Sequence, residues 1–267
     1  MKKILVFLIA SLIWTSAIFS QSLMSVKEVV AAQKDANVVL VSARKPADYA
    51  KSHAKGAVNV NVSGLNKTEP VKGMLKDANT VAATLGKAGI NPSKKVILYC
   101  NTGVNAGRLY WVLRYLGCTD VHMMNGHMKA WFAGRKPVTP TPTKPKPVTF
   151  TPKVNKNLIC DKSYVKANLN NSKVVMVDLR SKEDYDKGHI GKAVSLPHKQ
   201  LLTADNKIKS KEALTALLNK AGITSDKEVI LYCKTSTRAG LLFFILDAML
   251  GYKNVKVYDG AYNEWAP

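Results

Sequence analysis

Two cysteines sit where a thiol could act as a nucleophile, and the chain builds their surroundings twice. Ile97-Leu98-Tyr99-Cys100-Asn101-Thr102-Gly103-Val104-Asn105-Ala106 returns as Ile230-Leu231-Tyr232-Cys233-Lys234-Thr235-Ser236-Thr237-Arg238-Ala239. In each copy an apolar strand-like run ends at the cysteine, a short polar loop follows, and a helical pattern begins. That setting exposes a nucleophile above a sheet. A thiol duplicated in this way points to sulfur chemistry.

The second loop carries the charge. From Cys233 to Arg238 it can turn several backbone N–H groups toward one sulfur, with the positive end of the following helix beneath. Lys234 and Arg238 add two cations, which lower a thiol pKa and attract an anionic sulfur donor. Cys233 is therefore the main candidate nucleophile, with Lys234, Thr235, Ser236, Thr237 and Arg238 as candidate substrate-binding residues. The first loop has no charge of its own, since Asn105 stands where the second has Arg238. Cys100 is a second candidate site with a smaller expected thiolate fraction. A phosphatase loop needs five residues between cysteine and arginine, so that a guanidinium can fork onto a tetrahedral phosphate. Ala239 and Ala106 occupy that arginine position, so both loops are one residue too short.

The elements that must hold these loops repeat with them. Ser42 and Asp178, His53 and His189, Gly89 and Gly222, Gly126 and Gly260, and Trp131 and Trp265 recur at a nearly constant separation. This regularity predicts two homologous domains, 21–135 and 153–267, each of a size to carry its own core. Between them, 136–152 contains Pro137, Pro140, Pro142, Pro145, Pro147 and Pro152, and is expected to be a semi-rigid spacer or strap. In the second copy strands are expected over 173–178, 229–232 and 255–258, with helices over 212–221 and 239–250. Continuous apolar strands alternating with helices predict an α/β fold, a mainly parallel sheet with helices on both faces. Ligands on such sheets bind at the carboxyl ends of the strands, where Cys233 lies.

Residues 1–20 form another kind of segment: a basic start at Lys2 and Lys3, an apolar stretch from Ile4, and small residues near Ser20. This pattern predicts a secretory signal peptide and a periplasmic or secreted mature chain with no stable membrane insertion. Export would place four cysteines in an oxidising compartment. Cys100 and Cys233 occupy equivalent loop positions, which is how duplicated sites look and not how a bridge is arranged. Cys118 and Cys160 have no counterparts, and buried free thiols are expected there, with a bridge between them as the alternative. Cys118, His122 and His127 are spaced too irregularly for a zinc site, so no metal is expected. The net charge of +22 is spread over both domains and the linker without aromatic interleaving, which argues for a solvated basic surface and against nucleic acid.

The order Val177-Asp178-Leu179-Arg180, Gly188-His189-Ile190, Tyr232-Cys233 through Ala239, and Tyr258-Asp259-Gly260-Ala261-Tyr262-Asn263-Glu264-Trp265 resembles a rhodanese domain. With the weaker first copy, the chain is similar to the tandem-domain sulfurtransferases. The resemblance implies two rhodanese-like domains and a thiosulfate sulfurtransferase-type enzyme. A sulfane sulfur would pass from an anionic donor to cyanide or a thiol through a persulfide on Cys233. Thiosulfate ranks ahead of 3-mercaptopyruvate as donor, and no cofactor is required. Asp178 and His189 lie outside the cysteine loop and are expected to be structural support, with Arg180 as a partner for buried carboxylates. Ser236 stands where many members have glycine, and Asp184 where vertebrate members place a substrate-contacting arginine. The alternative is a non-catalytic carrier that binds persulfide sulfur and hands it to a partner.

Overall fold

The computed structural model describes residues 22–266, so the expected signal peptide lies outside the described residues. Ten short strands make two five-stranded sheets. The first contains β1 (Leu23–Met24), β2 (Val38–Ser42), β3 (Val58–Asn59), β4 (Lys95–Tyr99) and β5 (Val121–Met124). The second contains β6 (Ile159–Cys160), β7 (Val174–Asp178), β8 (Val194–Ser195), β9 (Glu228–Tyr232) and β10 (Val255–Tyr258). Their orders are β1-β5-β4-β2-β3 and β6-β10-β9-β7-β8, so the second sheet repeats the first strand for strand. All pairings within both sheets are parallel.

Burial on both faces explains why the central strands read as unbroken apolar runs. Successive side chains point to opposite faces, so Val96 and Leu98 enter one cluster while Ile97 and Tyr99 enter another. In β9, Val229 and Leu231 join the same cluster as Val96 and Leu98, whereas Ile230 and Tyr232 face a third. The domains therefore do not keep separate cores, as their sizes alone suggested. Each has a private outer cluster, and their inner faces merge into one.

Two helices make that merger: α1 (Val104–Tyr115) and α2 (Ala239–Phe244), each following a cysteine loop. They cross at Gly107 and Gly240, where a side-chain carbon would come within 2.6 Å of the facing backbone at Leu241 or Arg108. Only glycine lets the helices approach so closely. The single helix expected over 239–250 is divided: α2 ends at Phe244, and a wider π turn covers Ile245–Met249. Within that turn Asp247 accepts from Tyr110 Oη at 2.6 Å and pairs with Arg114 at 3.2 Å across the interface.

The proline-rich segment is a strap bound to the first domain along its length. Val138–Thr139 pair antiparallel with His53–Ala54, Thr143 N donates to Tyr49 Oη at 3.1 Å, and Val148 N donates to Gly86 O at 2.9 Å. Phe150 is buried in the shared core. The strap explains an asymmetry between the duplicated histidines. His53 stacks on Tyr49 beneath the strap and is buried, whereas His189 stacks on Tyr185 at 4.0 Å and is exposed. Among the described residues, no helix is long and apolar enough to cross a membrane.

Candidate functional site

Cys100 follows β4 and Cys233 follows β9, so both stand at the carboxyl end of a central strand. Each carbonyl is held from the chain after the last strand of its sheet: Met128 N donates to Cys100 O at 3.1 Å, and Tyr262 N to Cys233 O at 2.9 Å. The tyrosines before the cysteines are fixed identically, Tyr99 Oη accepting from Ala54 N and Tyr232 Oη from Ile190 N, both at 3.1 Å. The thiols are 2 % and 1 % exposed.

Asp178 and Arg180 lie beside the second loop as a closed pair. Arg180 donates through Nε and Nη2 to the Asp178 carboxylate, at 2.9 and 2.6 Å to Oδ2, and through Nη2 to Gly188 O at 2.6 Å. Its guanidinium lies 3.7 Å over the Tyr262 ring. The pair thus ties the end of β7 to the Gly188-His189-Ile190 segment and to the residue that holds the Cys233 carbonyl. His189 itself is exposed, and its support is local: its ring stacks on Tyr185 and its Nδ1 lies 3.2 Å from Tyr185 O.

The Cys233 loop is partly solvated at one end and sealed at the other. Lys234 is exposed, while Thr235, Thr237 and Arg238 are half-buried. The guanidinium of Arg238 reaches the neighbourhood of His198, whose pKa is held below the ordinary value by burial first and by that positive charge second. Thr235 Oγ1 and Thr237 Oγ1 share a hydrogen bond of 3.1 Å. Ser236 is fully buried with φ +60, the left-handed backbone for which glycine is the usual choice. Its Oγ donates to Tyr258 O at 2.6 Å and to Asp259 O at 3.2 Å, which offsets the strain of that backbone.

The first domain roofs this loop. Gly73 adopts φ +104 directly against Thr235, where a side-chain carbon would come within 2.6 Å of Thr235 Cβ. Asn263 Nδ2 donates to Lys72 O at 2.9 Å, and Leu75 N donates to Asp259 Oδ2 at 2.7 Å. The other oxygen of Asp259 accepts from Arg108 Nη2 at 2.7 Å, an ion pair in which both side chains are buried. Arg108 was not apparent from the motif because it belongs to the other domain. The available clue was a lone arginine before the apolar run Leu109-Tyr110-Trp111-Val112-Leu113, a place where a cation needs a partner.

The Cys100 loop is built from amides. Gly103 N donates to Cys100 Sγ at 3.1 Å, and the N–H groups of Thr102, Asn105 and Ala106 also favour the thiolate. Burial outweighs them, and the pKa of Cys100 is raised above the usual thiol value. Gly103 has φ +89 and is the duplicate of Ser236. No hydrogen bond to Cys233 Sγ is found among the described residues. The cradle expected for the second loop is thus seen in the first, while the second has the cations.

All four cysteines are free and buried. Burial pushes Cys118 up to about 12 and raises Cys160 as well, as expected of inert core thiols. Among the described residues, no group of three or more His, Cys, Asp or Glu side chains is placed to hold a metal ion.

The rhodanese-like domain family matches residues 25–133 and again 161–267, which covers four of the five strands of each sheet and both cysteine loops. The chain belongs to the rhodanese family. Among relatives of this tandem rhodanese, the thiosulfate sulfurtransferase of Azotobacter vinelandii is 27% identical over 238 residues, covering 85% of this chain and 88% of its own. The sulfur carrier protein TtuD of Thermus thermophilus is 30% identical over 205 residues, covering 69% and 72%. The crystal structure of the Escherichia coli 3-mercaptopyruvate sulfotransferase SseA superposes with a TM-score of 0.83 at 23% identity, over 91% of this chain and 99% of that one. At that identity the likeness speaks for the fold alone.

Proposed function

We propose that this rhodanese is an exported sulfurtransferase that moves sulfane sulfur from an anionic donor, thiosulfate first, to cyanide or a thiol through Cys233. The observation that carries this reading is a thiol at the carboxyl end of a central strand with Lys234 and Arg238 in the same loop. The Cys233 thiolate attacks the outer sulfur of thiosulfate, the S–S bond breaks, and sulfite leaves with the bonding pair. The resulting persulfide gives its outer sulfur to cyanide, forming thiocyanate and restoring the thiolate. Lys234 and Arg238 offset the negative charge that accumulates as the donor and the thiolate meet. The basic start and short apolar stretch before Gln21 support export.

Steady-state turnover with thiosulfate and cyanide tests the reading. Neutralising Arg238 is expected to lower the rate by roughly tenfold or more. Neutralising exposed Lys234 should cost less, because solvent screens its charge. An unchanged rate in both variants would remove the electrostatic argument. A second reading, delivery of persulfide sulfur to a protein partner, is favoured by the likeness to a named sulfur carrier. A carrier would load one sulfur and stop, where an enzyme turns over.

A further inference from the structure

Each domain lends a short hairpin to the other. Asn66 and Leu75 are bridged antiparallel in the first domain, and Leu202 and Ile208 in the second. Leu75 N donates to Asp259 Oδ2 at 2.7 Å and Ile208 N to Asn125 Oδ1 at 3.2 Å, so the hairpins stand in equivalent places. Two residues before each of these amides the backbone is left-handed, at Gly73 with φ +104 and at Asn206 with φ +58. The residues before those, Lys72 and Asp205, are therefore counterparts.

The two counterparts meet duplicated partners and use them differently. Asp205 pairs with Lys129 at 2.8 Å, and the two charges cancel. Lys129 stands three residues after Gly126, as Asn263 stands three after Gly260. Asn263 is neutral and holds backbone instead: its Nδ2 donates to Lys72 O at 2.9 Å and its N to Lys234 O at 3.2 Å. One residue thus clamps two exposed lysines, one from each domain. Gly73, next to Lys72, is packed on Thr235 of the Cys233 loop. Lys72 takes part in no ion pair among the described residues, and its flexible stem lets the ammonium sweep the rim of that loop. The charges of Lys67 and Glu69 are opposite, so Lys72 gives the hairpin its net positive charge. The Cys100 side has no such excess. Residues 101–105 are uncharged, and burial keeps the His127 ring against Gly103 neutral.

We propose that Lys72, brought to the Cys233 loop by the first domain, is a specificity-determining residue that favours doubly over singly charged sulfur donors. The proposal rests on the sulfurtransferase reading and adds to it a cation from the other domain. Lys72 and Lys234 repel each other across their shared clamp, and a dianion between them relieves that repulsion. A unit charge attracts a dianion twice as strongly as a monoanion at the same distance, so the benefit grows with donor charge. Thiosulfate and methanethiosulfonate isolate this effect, because they differ by one charge and react alike. With either, the Cys233 thiolate attacks the outer sulfur and the S–S bond breaks. Sulfite or methanesulfinate then leaves with the bonding pair, and the outer sulfur stays on Cys233 as a persulfide.

The test compares the full chain with Lys72→Gln, an exposed position whose backbone carbonyl keeps its bond to Asn263. Transfer to cyanide is followed from both donors at low ionic strength. The kcat/KM is expected to fall about fivefold for thiosulfate and about twofold for methanethiosulfonate. The loss should lie in KM, with kcat unchanged. Lys72→Glu should deepen both losses and widen the gap between the donors. Lys173→Gln controls for net charge: Lys173 is exposed at the amino end of β7, about 17 Å along the sheet from the end where Cys233 lies. Equal losses for the two donors, or a loss that Lys173→Gln reproduces, would overturn the proposal. Calorimetric binding of thiosulfate to the Cys233→Ser chain provides a readout without turnover, and Lys72→Gln should weaken it about fivefold. Binding that is absent, or unaltered by the change at Lys72, would also overturn the proposal. Failure of the unaltered chain to turn over, with binding that still depends on Lys72, would count against the sulfurtransferase reading and not against this residue.

Discussion

The two cysteine loops share a frame and differ in what the opposite domain brings to them. Arg108 of α1 and Leu241 of α2 occupy equivalent places after the crossing glycines. Arg108 reaches Asp259 beside the Cys233 loop, whereas Leu241 lies against Gly103 of the Cys100 loop, 3.4 Å from where a side-chain carbon would stand. Asn125, the duplicate of Asp259, accepts from Ile208 N at 3.2 Å in place of an ion pair. One site is therefore closed by charge and the other by apolar packing around a buried imidazole. Duplication fixed the position of the thiols, and the interface then made their electrostatics diverge.

The comparison breaks most sharply at the thiols themselves. Cys233→Ser is expected to abolish steady-state transfer from thiosulfate to cyanide, while Cys100→Ser leaves most of it. Initial rates of thiocyanate formation decide this, and a larger loss from Cys100→Ser would exchange the roles of the domains. Next comes the ion pair across the interface. Arg108→Leu copies Leu241 but strands the Asp259 carboxylate in a buried place, a change that costs on the order of 3–5 kcal/mol. Denaturant unfolding should show the loss, in one transition spanning both domains because their inner faces form one core. Two transitions, with only one of them shifted, would mean that the domains are energetically separate.

His127 gives a smaller and pH-dependent effect. Burial lowers its pKa from 6.5 to about 4, so the unfolded chain binds a proton more readily than the folded one. Its contribution is fully present above the unfolded pKa and is lost as the pH falls from about 6.5 toward 4. Linkage puts the loss at about 3 kcal/mol. His127→Ala should flatten the stability profile across that window and leave it unchanged above pH 7. Urea unfolding at stepped pH measures it, and an unaltered slope would assign the acid sensitivity to other groups.

Most of the frame was legible because strand burial writes itself into sequence. Val174–Asp178, Glu228–Tyr232 and Val255–Tyr258 lie within a residue of their expected limits, since runs of Val, Ile and Leu bounded by polar turns leave few other choices. The helix over 211–220 was legible for a related reason: Ser210 caps it by accepting from Ala213 N. The break after Phe244 was not, because nothing local separates Ile245–Met249 from a continuing helix, and Asp247 finds its partners only once the domains dock. The same reason hid Arg108, and with it the roof over Cys233. It also made His53 and His189 look equivalent, although the strap covers only one of them. Sequence periodicity reports what a segment buries, and is silent about which distant segment buries it.

The finest test of the comparison is the residue where the two loops adopt the same unusual backbone with different side chains. Ser236 and Gly103 both have positive φ, +60 and +89, and both precede the helix that carries the interface. Glycine would relieve Ser236 of a conformation that costs about 1–2 kcal/mol with a side chain. It would also remove the hydroxyl, whose single proton is shared between Tyr258 O and, at longer range, Asp259 O, a loss of about 0.5–1.5 kcal/mol that leaves those carbonyls without that donor. The two effects oppose each other, so Ser236→Gly is expected to change unfolding free energy by no more than about 1 kcal/mol. Ser236→Ala keeps the strain and loses the bonds, and should be the less stable of the pair by about 1 kcal/mol. Because Asp259 is the shared partner of Ser236, Leu75 and Arg108, both changes should also weaken the coupling between loop and roof. A double-mutant cycle with Arg108→Leu measures that coupling. Strict additivity in the cycle would mean that the serine serves only its own turn, and that the roof is held by the ion pair alone.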